Sequence, residues 1–149
     1  MLPLLRPRGI QAEKVMFRET EGVNTHKGLV FSMGVFCAAA GYMHGHHLPL
    51  TGERFLAVCA AIAAETPGEL AVPSRADAAT HGQRVHARFG MPGIRGEAAA
   101  GYPNIPRHGP PALRRSLAAG PCFPDARLAP LLPLLPPAQA PHHLSHPAP

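Results

Sequence analysis

Residues 22 to 43 read GVNTHKGLVFSMGVFCAAAGYM, and this stretch decides the fold. Its second part, Leu29 to Met43, is apolar on every face at helical length, which is the pattern of a core helix surrounded by others. Its first part is the opposite: Asn24, Thr25, His26 and Lys27 stand in a row between Gly22 and Gly28. Four consecutive side chains that can donate hydrogen bonds are costly to bury without partners. A ligand is the natural partner.

Working outward, the segment from about Gly9 to Thr20 has a helical pattern with Glu13, Arg18 and Glu19 on its polar side, and Gly22 is placed to end it. The residues up to Pro7 lack a cap and an amphipathic pattern and read as the end of something longer. Gly34 and Gly41 within the core helix would let neighbouring helices approach closely, at roughly 1 kcal/mol each in intrinsic propensity. His44, His46 and His47 then fall in a glycine-containing loop. Thr51 suits an N-cap, with Glu53 in the first turn and Phe55, Val58, Cys59 and Ile62 as the buried stripe, and Pro67-Gly68 stops that helix. Ser74 to Asp77 opens another helix reaching Phe89. Pro111 suits the first position of a last one carrying Leu113, Arg114, Arg115 and Leu117. No stretch alternates long enough for a strand. The expected fold is all-α, a bundle of roughly four to six helices. It fills a domain over residues 5–119, while the proline-rich tail 120–149 cannot sustain a helix and is expected to be disordered or even an out-of-frame product.

With 149 residues the chain is long enough for one domain with a real core. A net charge of +5 spread over a composition only 15% charged and 5% aromatic argues against a nucleic-acid groove, which needs clustered basic residues and stacking platforms. It suits phosphorylated small molecules. Cys37, Cys59 and Cys122 are odd in number and form no C-x-x-C pair, as in reduced thiols of a cytoplasmic protein. The run from Gly28 to Met43 falls short of a membrane span, so no membrane partner is expected.

Two groups of residues can carry chemistry. His26, Lys27 and Gly28 lie at the mouth of the core helix, where unpaired N–H groups and the Lys27 ammonium attract a phosphate chain. The alternative is a polar turn with Asn24 or Thr25 as helix cap, and both readings stand open. Further on, GIRGEAAAGYP (residues 93 to 103) sets Arg95 and Glu97 around Gly96. On an extended or turn segment these two project to one side. A surface ion pair is the plain reading, but the glycine density is expensive in backbone entropy, and close approach to a ligand explains it. His81 and the His44 to His47 cluster read as ordinary surface residues, the cluster lacking companion ligands at metal spacing.

The segments GVNTHKGLVFSMGVFCAAAGY, THGQRVHARFGMPGIRGEAAAGYP and HGPPALRRSL resemble the triphosphoribosyl-dephospho-coenzyme A synthase family from about Leu5 to Leu117. The resemblance implies a helical transferase. In that family the ribose 2′-hydroxyl of 3′-dephospho-coenzyme A displaces adenine from C1 of the ATP ribose, giving a prosthetic-group precursor destined for the acyl carrier protein of citrate lyase or malonate decarboxylase. It implies that the two stretches face each other across a nucleotide cleft. Lys27 and Arg95 would contact phosphate beside Gly28 and Gly96, while Asn24 and Thr25 position the substrate. Glu97 would be the base or a Mg2+ ligand, and His26 would assist proton transfer. Tyr102 stands where the family has phenylalanine. Flanking motifs of the family are absent here, which implies an incomplete cleft; the alternative function is an inactive nucleotide-binding fragment.

Overall fold

The computed structural model describes residues 1–64, 66, 81–91, 93–120 and 128, and these form six α-helices and no strand. In chain order they are α1 (Leu2–Glu19), α2 (Lys27–Gly45), α3 (Gly52–Ala63), α4 (His81–Phe89), α5 (Gly93–Ala99) and α6 (Asn104–Ala118). The all-α expectation holds. The stop at Pro67-Gly68, the helix start at Ser74 to Asp77, Cys122 and nearly all of the tail lie outside the described residues.

The core is built where α2, α3 and α5 meet. Val35 and Ala39 of α2, Cys59, Ile62 and Ala63 of α3, Ala98 of α5 and Tyr102 just beyond it form one buried cluster, with Phe31, Phe36, Phe55 and Leu56 packed around it. Four of its members, Ala39, Cys59, Ala63 and Ala98, are wholly inaccessible and small. Small side chains at a crossing let helix axes approach, so α5 sits tightly on its two partners. Aromatic rings close the rim: Phe36 lies 4.9 Å from Tyr102 and 5.7 Å from Phe55 between ring centroids.

The helix boundaries follow from capping. Thr51 accepts a hydrogen bond from the backbone N–H of Arg54 at 3.3 Å and Glu53 occupies the first turn, as expected for α3. Five helices are followed by a left-handed residue, Gly90 (φ 69°) after α4 and Gly120 (φ 93°) after α6 among them. Glu21 (φ 51°), His47 (φ 53°) and Gly101 (φ 77°) take that conformation, closed by hydrogen bonds from Gly22 to Phe17, Leu48 to Met43 and Tyr102 to Glu97. These are Schellman-type closures. At two of them a residue other than glycine bears the positive φ, so Gly22 follows the turning residue instead of being it.

Several expectations need correction. α1 begins at Leu2, because Pro3 falls in the first turn where its missing N–H has no intrahelical partner, and Pro7 is tolerated inside the helix. α2 is not enclosed on all sides: Ser32, Val35, Ala39 and Met43 form its buried stripe, while Leu29, Met33, Cys37 and Tyr42 are exposed. It extends through His44 and Gly45 and, at 19 residues, is long and apolar enough by length and composition to cross a membrane, although its stripe packs as a core helix does. Gly34 and Gly41 do not mediate close packing, since a Cβ at either would meet nothing within 4 Å. Residues 93–99 are helical, not extended, the alanines outweighing the glycines. Finally, α6 starts at Asn104 and carries Pro110 and Pro111 in its interior.

Gly101 is constrained by both its backbone and its neighbours. An added Cβ would stand 3.4 Å from the Leu56 carbonyl oxygen and 3.6 Å from the Ala60 methyl, on a backbone at positive φ. Gly101→Ala is expected to destabilise the fold by about 1–2 kcal/mol, and Gly34→Ala, in open helical space, to stabilise it by about 0.5–1 kcal/mol. Urea denaturation followed by circular dichroism checks both signs.

Candidate functional site

The polar turn between α1 and α2 resolves one of the open readings. Asn24 Oδ1 accepts a hydrogen bond from the Lys27 backbone N–H at 3.2 Å, so Asn24 caps α2. The Thr25 hydroxyl and His26 Nδ1 lie 2.7 Å apart on the exposed rim. The His26 backbone N–H donates to the Met16 sulfur at 3.2 Å, tying the turn back to α1. Lys27 reaches back too: its Nζ lies 3.0 Å from Oε2 of Glu13. Both side chains are partly exposed, so the pair contributes up to about 1 kcal/mol.

The second stretch sits against the first. A Cβ placed on Gly28 would lie 3.9 Å from Cγ2 of Ile94, which puts the opening turn of α2 directly on α5. The Arg95 guanidinium lies over the Phe31 ring, 5.9 Å from its centroid. Phe31 is four residues after Lys27 and shares its side of α2. The two cations therefore flank one edge of the α2 and α5 contact. The Arg95 carbonyl also accepts a hydrogen bond from the buried Thr66 hydroxyl at 3.3 Å, which fixes the start of α5 against the end of α3.

Arg95 and Glu97 do not project together. Two residues on a helix differ by about 200°, so Glu97 leaves α5 on the side away from Arg95, and Gly96 lies between them. Glu97 is turned toward the start of α6, where Oε1 accepts a hydrogen bond from Asn104 Nδ2 at 2.7 Å. Burial pushes its carboxyl pKa above the ordinary value, and the Asn104 amide partly opposes that shift. A carboxylate of raised pKa that is oriented by a neutral amide is a stronger base than a solvated one and is suited to proton transfer.

Tyr102 adds a third ionisable group. Its hydroxyl is buried and makes no well-formed hydrogen bond among the described residues, with Ser32 the facing hydroxyl. Burial raises its pKa, Ser32 opposes the shift, and the nearby Cys59 and Glu97 add to it. Cys59 is likewise pushed up by burial and is inert as a nucleophile in that state.

No three His, Cys, Asp or Glu side chains converge among the described residues, so none of them forms a ready-made metal cage around Glu97. One carboxylate fits a Mg2+ ion that is held mainly by substrate phosphates. An open groove of about 650 Å³ lies elsewhere, between α3 and the α5 to α6 turn, lined by Phe55, Leu56, Ala60, Ile105 and Pro106. Its walls are almost wholly apolar and unsuited to a triphosphate. The ionisable residues mark the candidate site, and the groove does not.

Glu13, Met16, Phe31 and Asn104 were not singled out as site residues by sequence. Glu13 and Asn104 reach their partners only through a turn or a left-handed corner, which side-chain periodicity does not register.

A family model described as ATP:dephospho-CoA triphosphoribosyl transferase matches residues 4–137. The chain belongs to that family. It is similar to the probable 2-(5''-triphosphoribosyl)-3'-dephosphocoenzyme-A synthase of Citrobacter koseri, 44% identical over 118 residues that make up 78% of this chain and 38% of that protein. The 2-(5''-triphosphoribosyl)-3'-dephosphocoenzyme-A synthase of Pectobacterium atrosepticum is 40% identical over 126 residues, 80% of this chain and 40% of that protein. A probable synthase of the same name from Lactiplantibacillus plantarum is 42% identical over 112 residues, 75% and 40% of the two chains. This chain spans about two fifths of the length of these curated relatives. No solved structure matches it.

The Glu97 carboxyl binds its proton more tightly folded than unfolded. Its contribution to stability is therefore greatest below the ordinary carboxylate pKa and declines as pH rises through the folded value. Glu97→Gln is expected to flatten that decline. Asn104→Ala, removing the opposing hydrogen bond, is expected to move the Glu97 midpoint further up, read from its side-chain carboxyl resonance in a pH titration by NMR.

Proposed function

We propose that the chain carries a nucleotide-binding part of a transferase that moves the triphosphoribosyl group of ATP to the 2′-hydroxyl of 3′-dephospho-coenzyme A, releasing adenine. The observation that carries this reading is the seating of Gly28 against Ile94, which sets the turn holding Lys27 beside the helix holding Arg95 and Glu97. Family membership supplies the reaction class.

In this reading the bond between C1 of the ATP ribose and adenine breaks while a new bond forms from that carbon to the acceptor oxygen. Lys27 and Arg95, on one edge of the α2 and α5 contact, hold the triphosphate. Lys27 is a point charge, whereas Arg95 can engage phosphate oxygens in pairs. Glu97 takes the proton of the attacking hydroxyl, its raised pKa bringing it toward the range where it serves as base near neutrality. The Asn104 amide keeps the carboxylate from rotating away. Thr25 and His26, paired on the rim, are placed to orient the ribose and to pass a proton to departing adenine. Asn24 acts through the cap that sets the Lys27 backbone. Mg2+ would arrive with the nucleotide, neutralise phosphate charge and take Glu97 as its protein ligand where that residue is not the base.

The nucleotide substrates and the free thiols of Cys37 and Cys59 fit a cytoplasmic enzyme. The product would be destined for an acyl carrier protein.

Two measurements test the reading. Calorimetry with Mg-ATP is expected to give binding that weakens at least tenfold in Lys27→Met, and adenine release is expected to require dephospho-coenzyme A and to fall at least a hundredfold in Glu97→Gln. Unchanged turnover in Glu97→Gln would remove its assigned role, and binding without adenine release would restrict this chain to holding nucleotide.

A further inference from the structure

The third family segment, HGPPALRRSL, has no part in the chemistry so far, yet it builds most of α6. This helix carries Arg107, His108, Arg114 and Arg115 and no acidic residue. At about 100° per residue, Arg107, Arg114, Pro111, Asn104, Arg115 and His108 fall within an arc of about 120°. Buried Ala112 lies outside that arc. Arg107, Arg114 and Arg115 are exposed, and none has an ion-pair partner among the described residues.

A solvated basic face is the ordinary explanation for such a stripe, and it accounts for half of it. Arg114 and Arg115 lie in the last turns, where cations complement the helix dipole. Arg107 and His108 lie toward the opposite end, where the dipole disfavours them and acidic residues are preferred. The stripe also begins at Asn104, the residue that holds Glu97 at 2.7 Å. From there it runs roughly 16 Å along the helix to Arg115. The basic face is thus continuous with the carboxylate to which the acceptor hydroxyl has been assigned.

We propose that this face of α6 binds the diphosphate of the acceptor nucleotide, 3′-dephospho-coenzyme A, while Lys27 and Arg95 serve the triphosphate of the donor. The inference rests on the functional reading above. Because the 2′-hydroxyl and the 5′-diphosphate belong to one ribose, a hydroxyl at Glu97 brings the diphosphate within reach of the first turns of α6, where Arg107 stands. A diphosphate spans only a few Å, so Arg107 is the contact residue, while Arg114 and Arg115 along the same face add to the positive field that draws the anion in. Guanidinium groups suit this task because each can offer two parallel donors to a phosphate.

The test is equilibrium binding of dephospho-coenzyme A and, separately, of Mg-ATP to the full chain. Wild type is compared with the triple variant Arg107→Gln/Arg114→Gln/Arg115→Gln and with the corresponding triple lysine variant, with helix content checked by circular dichroism. The glutamine variant is expected to lose at least tenfold in affinity for dephospho-coenzyme A and most of the salt dependence of that binding. Its Mg-ATP affinity is expected to change less than twofold, and the lysine variant to keep part of the acceptor affinity. Unchanged dephospho-coenzyme A binding in the glutamine variant, or equal losses for both nucleotides, overturns the inference. A wild-type chain that binds neither nucleotide overturns the functional reading and this inference with it.

Discussion

Everything placed at the candidate site depends on four small side chains meeting with no solvent between them. Ala39, Cys59, Ala63 and Ala98 bring α2, α3 and α5 together closely, and at the first turn of α2 a Cβ added to Gly28 would come within 3.9 Å of Ile94. A bulky residue at Ala98 would push α5 outward and carry Arg95 and Glu97 with it. In a close-packed interior there is no slack to absorb an extra group. The same compactness bears on the glycine at 101: the chain turns away from Leu56 there through a left-handed backbone, where a Cβ would be strained by its positive φ and would rest against Leu56 and Ala60. That corner delivers Asn104 to Glu97. Core packing and site geometry are one constraint seen from two sides.

Much of this was legible in the residues, and the limits have physical causes. The length and apolarity of Leu29 to Met43 announced a core helix, and the hydroxyl of Thr51 announced the start of α3. Burial on all faces of α2 was not realised, because periodicity reports how apolar a helix is and not how many neighbours cover it. Proline was given too much weight as a breaker. Pro3 costs nothing in a first turn, and α6 retains its helix through Pro110 and Pro111 despite the missing donors. Glycine was given too much weight as well, since Gly93 and Gly96 sit in a helix whose alanines carry the preference.

The site residues divide the same way. Lys27, Arg95 and Glu97 stood out because polar and charged side chains beside glycines ask for an explanation. Their relationship did not, because it depends on helical rotation: Arg95 and Glu97 point apart, each toward a different partner. Arg95 faces the Lys27 side of α2, and Glu97 faces α6. Which partner each of these side chains meets is visible only in the three-dimensional placement.

The contact between Lys27 and Glu13 has a consequence of its own. A cation awaiting phosphate is usually imagined surrounded by water and mobile ions, but here a carboxylate from α1 already holds it at 3.0 Å. In the proposed function, phosphate entry at this position would exchange one anion for another. A phosphate bound there would take over the lysine and leave Glu13 beside a negative charge, giving α1 an electrostatic reason to shift away from the mouth of α2. The first helix buries no residue completely, and such a movement would be resisted by the packing of its Leu2 and Leu5 against the core.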